Sequence, residues 1–357
     1  MKVLVFTMAY NAEKTLSRAM DSVLSQTFRN LRYIVLDNGS SDRTWDIIRA
    51  YAARDSRVFP LSIRKNNPAN GSLMIQAISC TADTGYFVWL DADDSYSPDF
   101  LEKMLPFAEE NRLDIASCGY DMIDGASGRL LRRRVAPEHI LLSGTAFAER
   151  FVDYRSFTMV LWGKVYSIPF LQRVLKKGLF RGDFRMYSDA AGVQKLFRMS
   201  ERAGIYGESL HQYYQYPRST SHLNLRENIA CYRDYYFSIR DFLEHYGPIS
   251  RRNEDFLYAV YLSLADEGVE HIFAASVSVA EKLELLRLTF QEPLWAETLA
   301  RKADPEFRNL AGRAEYVART RERIRTLAVT PEEDALAEAA IRALEGPARL
   351  SSCGPQL

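Results

Sequence analysis

Along the first third of the chain, short apolar runs alternate with amphipathic stretches. Lys2-Val3-Leu4-Val5-Phe6-Thr7 is a compact run of β-formers, the pattern of a strand covered on both faces. Beyond Asn11, the apolar residues Leu16, Ala19, Met20, Val23 and Leu24 recur at spacings of three and four and make one helical face. Asn11 stands where it can cap that helix. Arg32 to Leu36 predicts a second strand, ending in the turn-forming run Asp37-Asn38-Gly39-Ser40-Ser41-Asp42. A helix through Trp45, Ile47, Ile48 and Tyr51 follows, then a strand from Val58 to Ile63, a helix from Leu73 to Ala82 and a strand from Tyr86 to Leu90. Ser97-Pro98-Asp99 opens a further helix, with Ser as cap, Pro in the first turn and Asp complementing the dipole. Asp114 to Ser117 is a fifth strand.

This alternation predicts right-handed crossovers and a mostly parallel sheet with helices on both faces. Ligands bind such sheets at the carboxyl ends of the strands. Three polar segments follow strand ends: Thr7 to Asn11, Asp37 to Asp42 and Asp91 to Asp94. They are expected to converge on one rim.

From about Met122 the pattern loosens. Asp124-Gly125 and Ser127-Gly128 suggest a hairpin leading into Arg132-Arg133-Arg134. Ser143 to Phe151, Ser167 to Leu175 and Tyr187 to Met199 have helical character, and Gly204 to Tyr216 has strand character. After about Leu223, long helical segments rich in Ala, Leu, Glu and Arg take over, and Thr330-Pro331-Glu332-Glu333 is a helix start with capping logic. The expected organisation is an α/β domain over 1–222, divided near residue 120, and an all-helical C-terminal region over 223–357 with a frayed end.

Composition adds mainly exclusions. The chain has 46 Lys plus Arg and 46 Asp plus Glu, so no global charge points to nucleic acid. No stretch approaches the ~20 apolar residues that cross a bilayer, and Met1-Lys2 runs straight into a strand without a secretory signal pattern. A cytoplasmic protein is expected, in peripheral contact with the inner face of a membrane at most. Cys80, Cys118, Cys231 and Cys353 are scattered, without a CxxC pair, and read as reduced filler.

Chemistry concentrates at Asp91-Ala92-Asp93-Asp94. Three carboxylates within four residues repel one another, and a divalent cation with oxygen preference, Mg²⁺ or Mn²⁺, relieves that repulsion. Such ions keep open positions for phosphate oxygens, so a diphosphate is the natural partner. Taken alone the tetrapeptide is equally a solvated, capped loop; its place between an apolar strand and a helix favours the metal. A carboxylate at Asp37 can accept the imide N–H of uracil, and Gly39 allows close backbone approach to a ligand. Tyr10 can border a base or pack under the next helix.

Three segments together carry a resemblance. Val5-Phe6-Thr7-Met8-Ala9-Tyr10-Asn11-Ala12-Glu13, then Asp21 to Phe28 and Asp37 to Thr44, followed by the Asp91-Ala92-Asp93 DxD, resemble the family 2 inverting glycosyltransferases of bacterial surface-polysaccharide type. The likeness is close over residues 1–120 and thinner to about 222. It implies a GT-A (Rossmann-like) fold and transfer of a hexosyl or hexosaminyl group from a nucleotide-sugar donor, UDP-linked, to a glycan or lipid-linked acceptor. It further implies that Thr7, Tyr10 and Asp37 bind the uridine, that Asp91 lies near the ribose and that Asp93 ligates the metal. Asp189, in Met186-Tyr187-Ser188-Asp189-Ala190, falls at the position of the catalytic base. Trp162-Gly163-Lys164-Val165-Tyr166 resembles a Trp-x-Lys-x-Tyr segment, which makes Trp162 and Lys164 acceptor-side candidates. Tyr213-Tyr214-x-Tyr216-x-Arg218-x-x-Ser221 resembles a donor-covering loop and makes Arg218 a donor contact.

The chain departs from the family pattern at Asn38, at Ser188 and at Gln76, where many members have Asp, Glu and a nearby Arg respectively. Arg218 or Lys65 can supply the missing donor contact. By its residues alone, Asp189 is as well suited to capping a helix as to accepting a proton. Arg132-Arg133-Arg134 can meet an anionic lipid or form a solvated strand edge; His222 can approach a diphosphate or lie on the surface. Two other readings fit an α/β sheet with carboxylates. One is a non-catalytic nucleotide-sugar-binding relic, and the other a sugar nucleotidylyltransferase, which would need a Gly-rich basic loop where Ala9-Tyr10-Asn11-Ala12 stands. The absence of GxxxxGK[ST] argues against a P-loop enzyme.

Overall fold

The structure, a computed structural model, describes residues 2–66, 84–177, 188–216, 225–301 and 306–346, with side chains at 188–191 and 225–231 left out. The expected helix at Leu73 to Ala82 lies outside the described residues. The chain divides into two compact units, Met1–Ser219 and Thr220–Leu357.

The first unit is built on one mixed sheet. The strands β1 (Val3–Ala9), β2 (Leu31–Asp37), β3 (Val58–Ser62) and β4 (Tyr86–Trp89) pair in parallel. The helices α1 (Leu16–Leu24) and α2 (Thr44–Ala52) make the connections out of β1 and β2. Leu16, Ala19, Met20 and Val23 of α1 are buried, as their spacing predicts. Within this half, β1 and β2 are almost wholly buried, which is why apolar residues dominate both instead of alternating with polar ones.

Beyond β4 the sheet departs from the mostly parallel expectation. Further elements are β5 (Ser95–Tyr96), α3 (Phe100–Glu110), β6 (Ile115–Asp124), β7 (Leu130–Arg134), β8 (Ile140–Ser143), α4 (Ala146–Glu149), α5 (Phe151–Tyr154), β9 (Lys164–Ser167), α6 (Ile168–Lys176), α7 (Ser188–Met199) and β10 (Arg202–Gln215). The order is β3-β2-β1-β4-β9-β6-β10-β5, with β7 on β6 and β8 on β10. β9 enters antiparallel between β4 and β6. Among the described residues, β6 and β10 are the only parallel pair in this second half. The hairpin expected at Asp124 to Gly128 joins β6 to β7.

Two capping expectations fail. Asn11 does not cap α1; it has a left-handed φ of 49°, and its Oδ1 accepts from the Ser41 amide at 2.9 Å. Ser97 does not cap α3 with its hydroxyl, which accepts from Gln212 Nε2 at 3.1 Å. In both cases a partner distant in sequence outcompetes the local bond.

The second unit is helical throughout its described residues, as the composition predicts. It comprises α8 (Leu225–Glu244), α9 (Arg251–Ala274), α10 (Val279–Phe290), α11 (Pro293–Ala300), α12 (Arg308–Ala311), α13 (Arg313–Leu327) and α14 (Pro331–Glu345). Trp295 anchors it, fully buried, with its indole N–H donating to the Leu344 carbonyl at 2.8 Å. Among the described residues no helix is long and apolar enough to cross a membrane.

Candidate active site

Between β1 and β4 the connectivity reverses: β2 and β3 build outward on one side, and β4 takes the other. Loops at the carboxyl ends of those two strands therefore diverge and leave a crevice. A cleft of about 610 Å³ opens there, lined by the β1–α1 loop, Asp42, Asp91, Ala92, Asp93 and Tyr216.

The cleft's first wall is held by reciprocal bonds between the loops after β1 and β2. The amides of Asn11, Ala12 and Glu13 donate to Ser40 Oγ (2.9 Å), Thr44 Oγ1 (2.8 Å) and Asp42 Oδ2 (3.1 Å). In return, Glu13 Oε2 accepts from the Arg43 amide at 3.1 Å. Burial opposes ionisation of Asp42, but bonds from Thr44 and Glu13 prevail and hold its carboxyl below the usual range. On this wall Tyr10 is 48% exposed and lines the cleft with an open ring face.

Asp37 and Thr7 lie elsewhere. Asp37 is buried at the end of β2, where Oδ1 accepts from the Ser40 amide (3.1 Å) and Oδ2 from the Ser62 hydroxyl (3.4 Å). Thr7 is wholly buried; its hydroxyl donates to the Leu90 carbonyl (2.8 Å) and lies 2.9 Å from the Tyr33 hydroxyl. Neither residue lines the cleft. The Thr7 side chain thus ties β1 to the start of the carboxylate loop instead of reaching a ligand. Gly39 has φ +79°, and a Cβ there would stand 2.7 Å from the Asn66 amide nitrogen. Its close approach is to the backbone of Lys65 and Asn66.

The second wall is the carboxylate loop. Carboxylate oxygens of Asp91, Asp93 and Asp94 come within 4.8 Å of one another. They are not equivalent. Asp91 Oδ1 accepts from the Trp89 indole at 2.6 Å, and Asp93 is open to solvent. Asp94 is fully buried, with Oδ2 at 3.0 Å from His211 Nε2 and Oδ1 accepting from the Tyr214 amide at 3.0 Å. Both Asp94 oxygens are therefore engaged by β10. Burial, then the neighbouring Asp93 charge, push the Asp94 carboxyl well up. Burial likewise drives His211 down to about 3, so its ring is neutral. Desolvation raises Asp93 too, against the opposing influence of its own backbone amide and of Arg18.

Two acceptor-side candidates are brought into the interior. Trp162 is 7% exposed and stacks on His211 with ring centroids 4.2 Å apart. Lys164 is 1% exposed and its Nζ donates to the carbonyls of Val160 (2.5 Å) and Trp162 (3.2 Å). Two residues on, the Tyr166 hydroxyl donates to the Leu161 carbonyl at 3.0 Å. The Trp-x-Lys-x-Tyr segment thus serves its own loop: two β9 side chains satisfy three consecutive carbonyls that no strand partner reaches. Desolvation lowers Lys164 to about 7 and raises the adjoining buried thiol of Cys118 to about 12.

Asp189 opens α7, and its side chain lies outside the described residues, as do Arg218, His222 and Gln76. No motif or periodicity marks Arg18, Lys14 or His211 as parts of the site. Lys14 lines the cleft, and Arg18 sits behind the carboxylate loop. Arg18 falls opposite the buried face of α1, where periodicity assigns solvent.

Residues 4–174 match the model for glycosyl transferase family 2. That stretch is just under half of the chain, and over it the chain is similar to the family. It is 28% identical over 261 residues to the uncharacterized glycosyltransferase EpsJ of Bacillus subtilis, covering 69% of this chain and 71% of that one. It is 30% identical over 119 residues to an Escherichia coli UDP-Glc:α-D-GlcNAc-diphosphoundecaprenol β-1,3-glucosyltransferase, WfaP, covering 33% and 45% respectively. The crystal structure of S. aureus TarS 1–349 with UDP-GlcNAc superposes with a TM-score of 0.54 at 15% identity, covering 97% of this chain and 90% of that one. This glycosyltransferase therefore has the GT-A fold, with a mixed sheet and a helical C-terminal region.

Proposed function

We propose that this glycosyltransferase inverts configuration while moving a hexosyl or hexosaminyl group from a UDP-sugar to a glycan or lipid-linked acceptor in surface-polysaccharide synthesis. The observation that carries the reading is the convergence of Asp91 and Asp93 with the open ring of Tyr10 around one cleft at the strand-order reversal. The cleft's volume suits a nucleotide-sugar, and the likeness to WfaP, a UDP-Glc:α-D-GlcNAc-diphosphoundecaprenol glucosyltransferase, supports the donor and acceptor classes.

The donor set fits Mg²⁺ or Mn²⁺: it is all oxygen, and with Asp94 engaged by β10 it leaves two carboxylates, a number that suits an ion sharing phosphate oxygens. Asp93 would be the principal ligand and Asp91 its neighbour near the ribose. The ion when bound would neutralise charge on the departing diphosphate. Tyr10 borders the base, and Asp37 orders the loop beneath it through the Ser40 amide. Asp189 takes the proton of the acceptor hydroxyl. The oxygen then bonds to the anomeric carbon as the carbon–oxygen bond to the diphosphate breaks, and UDP leaves with that electron pair. Arg218 provides a donor contact. An acceptor carried on lipid places the enzyme at the inner membrane face.

UDP release from a panel of UDP-sugars, with and without Mn²⁺ and with lipid-linked acceptors, tests the reading. Asp189→Asn should lower transfer by at least 100-fold while leaving UDP binding unchanged. Full transfer by folded Asp189→Asn would sink the base assignment. Metal-dependent UDP binding without turnover on any acceptor would instead identify a relic.

A further inference from the structure

We propose that Arg18 is a positioning residue that fastens the carboxylate loop to the end of β10 and so presents Asp93 to the cation and the donor diphosphate. The proposal rests on the metal-dependent reading above. Arg18 lies in α1, one turn beyond the cleft-lining Lys14 and Thr15. Its Nη2 donates to the backbone carbonyl of Asp93 and to the Tyr216 hydroxyl at 3.2 Å. Its guanidinium carbon stands 3.5 Å from the centroid of the Tyr214 ring. One planar group therefore meets the carboxylate loop, the end of strand β10 and the residue just beyond it.

The consequence for Asp93 is specific. Arg18 holds the main chain of Asp93, not its carboxylate, and so leaves the side chain free to ligate while fixing where it points. The next residue, Asp94, is bound to the same stretch of β10 through His211 and the Tyr214 amide. The loop is thus tied to β10 at the Asp93 carbonyl and again at the next residue. Tyr216 is fixed in turn: its hydroxyl takes the Arg18 bond, and its ring lies so close to Gly125 that a Cβ there would come within 2.3 Å of it. Tyr216 lines the cleft, so the same arginine sets one ligand and one wall. A lysine cannot replace it, because stacking on Tyr214 while donating to two oxygens needs the flat guanidinium fork.

The test is calorimetric UDP binding with and without Mn²⁺, alongside donor kinetics, for wild type, Arg18→Ala, Arg18→Lys and Tyr216→Phe. Arg18→Ala should weaken Mn²⁺-dependent UDP binding about tenfold or more, and raise KM for donor and Mn²⁺ more than it lowers kcat. UDP affinity without metal should change less than about twofold. Guanidinium ion in the buffer should restore part of the loss in Arg18→Ala, an effect that a general packing defect would not show. Arg18→Lys should stay impaired, and Tyr216→Phe should raise the Mn²⁺ requirement severalfold. Should Arg18→Ala fail to fold, Arg18→Lys and Tyr216→Phe decide the matter. Wild-type affinity and Mn²⁺ response in the folded variants would overturn the Arg18 assignment alone. UDP binding by wild type that ignores Mn²⁺ would overturn the metal reading beneath it, and this assignment with it.

Discussion

Asp94 and Lys164 show how one side chain's burial decides its role. Asp94 directly follows Asp91-Ala92-Asp93 yet faces inward, where it satisfies His211 and the Tyr214 amide. Asp94→Ala should lower the urea midpoint of the first unit by an amount equivalent to ~1–3 kcal/mol, because it leaves the Tyr214 amide and His211 unpartnered in the interior. Asp94→Asn, which can still accept and donate, should keep most of that stability. Equal loss in the two variants would count against a hydrogen-bonding role. Lys164 has a proton affinity lowered to about 7 by desolvation. An unfolded lysine keeps its proton to about 10.4, so between pH 7 and 9 the unfolded chain binds more protons and stability rises with pH. The destabilising contribution of the buried charge is thus fully present below pH 7. Urea titrations of Lys164→Met should lose that rise, whose slope cannot exceed about 1.4 kcal/mol per pH unit.

At the scale of elements, local and distant bonds compete for the same loop groups. At α14 the local bond wins. Thr330 Oγ1 accepts from the Glu333 amide at 3.2 Å and Glu333 Oε2 accepts from the Thr330 amide at 3.1 Å, a complete capping box. Thr330→Ala should cost the helix ~1 kcal/mol. Hydrogen exchange would show amides in the first turn of α14 exchanging about fivefold faster, and an unchanged rate would mean that the cap contributes nothing. At α1 and α3 distant partners win, because a strand-end loop in a crevice has neighbours from other loops on every side. The antiparallel insertion of β9 has a similar origin. Its four residues Lys164 to Ser167 are too short and too polar at the ends to stand out as a strand, yet they fill the gap between β4 and β6.

For the molecule as a whole, the family match spans residues 4–174, while the helical unit from Thr220 onward lies beyond it. The carboxylates that would hold an ion lie on the rim of the first unit's sheet, outside its apolar core. Chelation should therefore abolish sugar transfer while leaving far-ultraviolet circular dichroism intact, and added Mn²⁺ or Mg²⁺ should restore transfer. Transfer that persists after exhaustive EDTA treatment would rule out the metal.

Periodicity alone determined β1 to β4 with α1 and α2, the helical C-terminal unit and the three polar loops, because each follows from spacing within a dozen residues. Motif order further marked Tyr10, Asp91 and Asp93, which do line one cleft. Tertiary structure alone decided the rest. It turned Thr7, Trp162 and Lys164 inward, gave Asp94 to His211 117 residues away, and covered the outward face of α1 so that Arg18 reached the carboxylate loop. A side chain's spacing shows which face of its own element it occupies. What stands opposite that face depends on where the sheet brings the other elements, and that is set by burial summed over the whole unit.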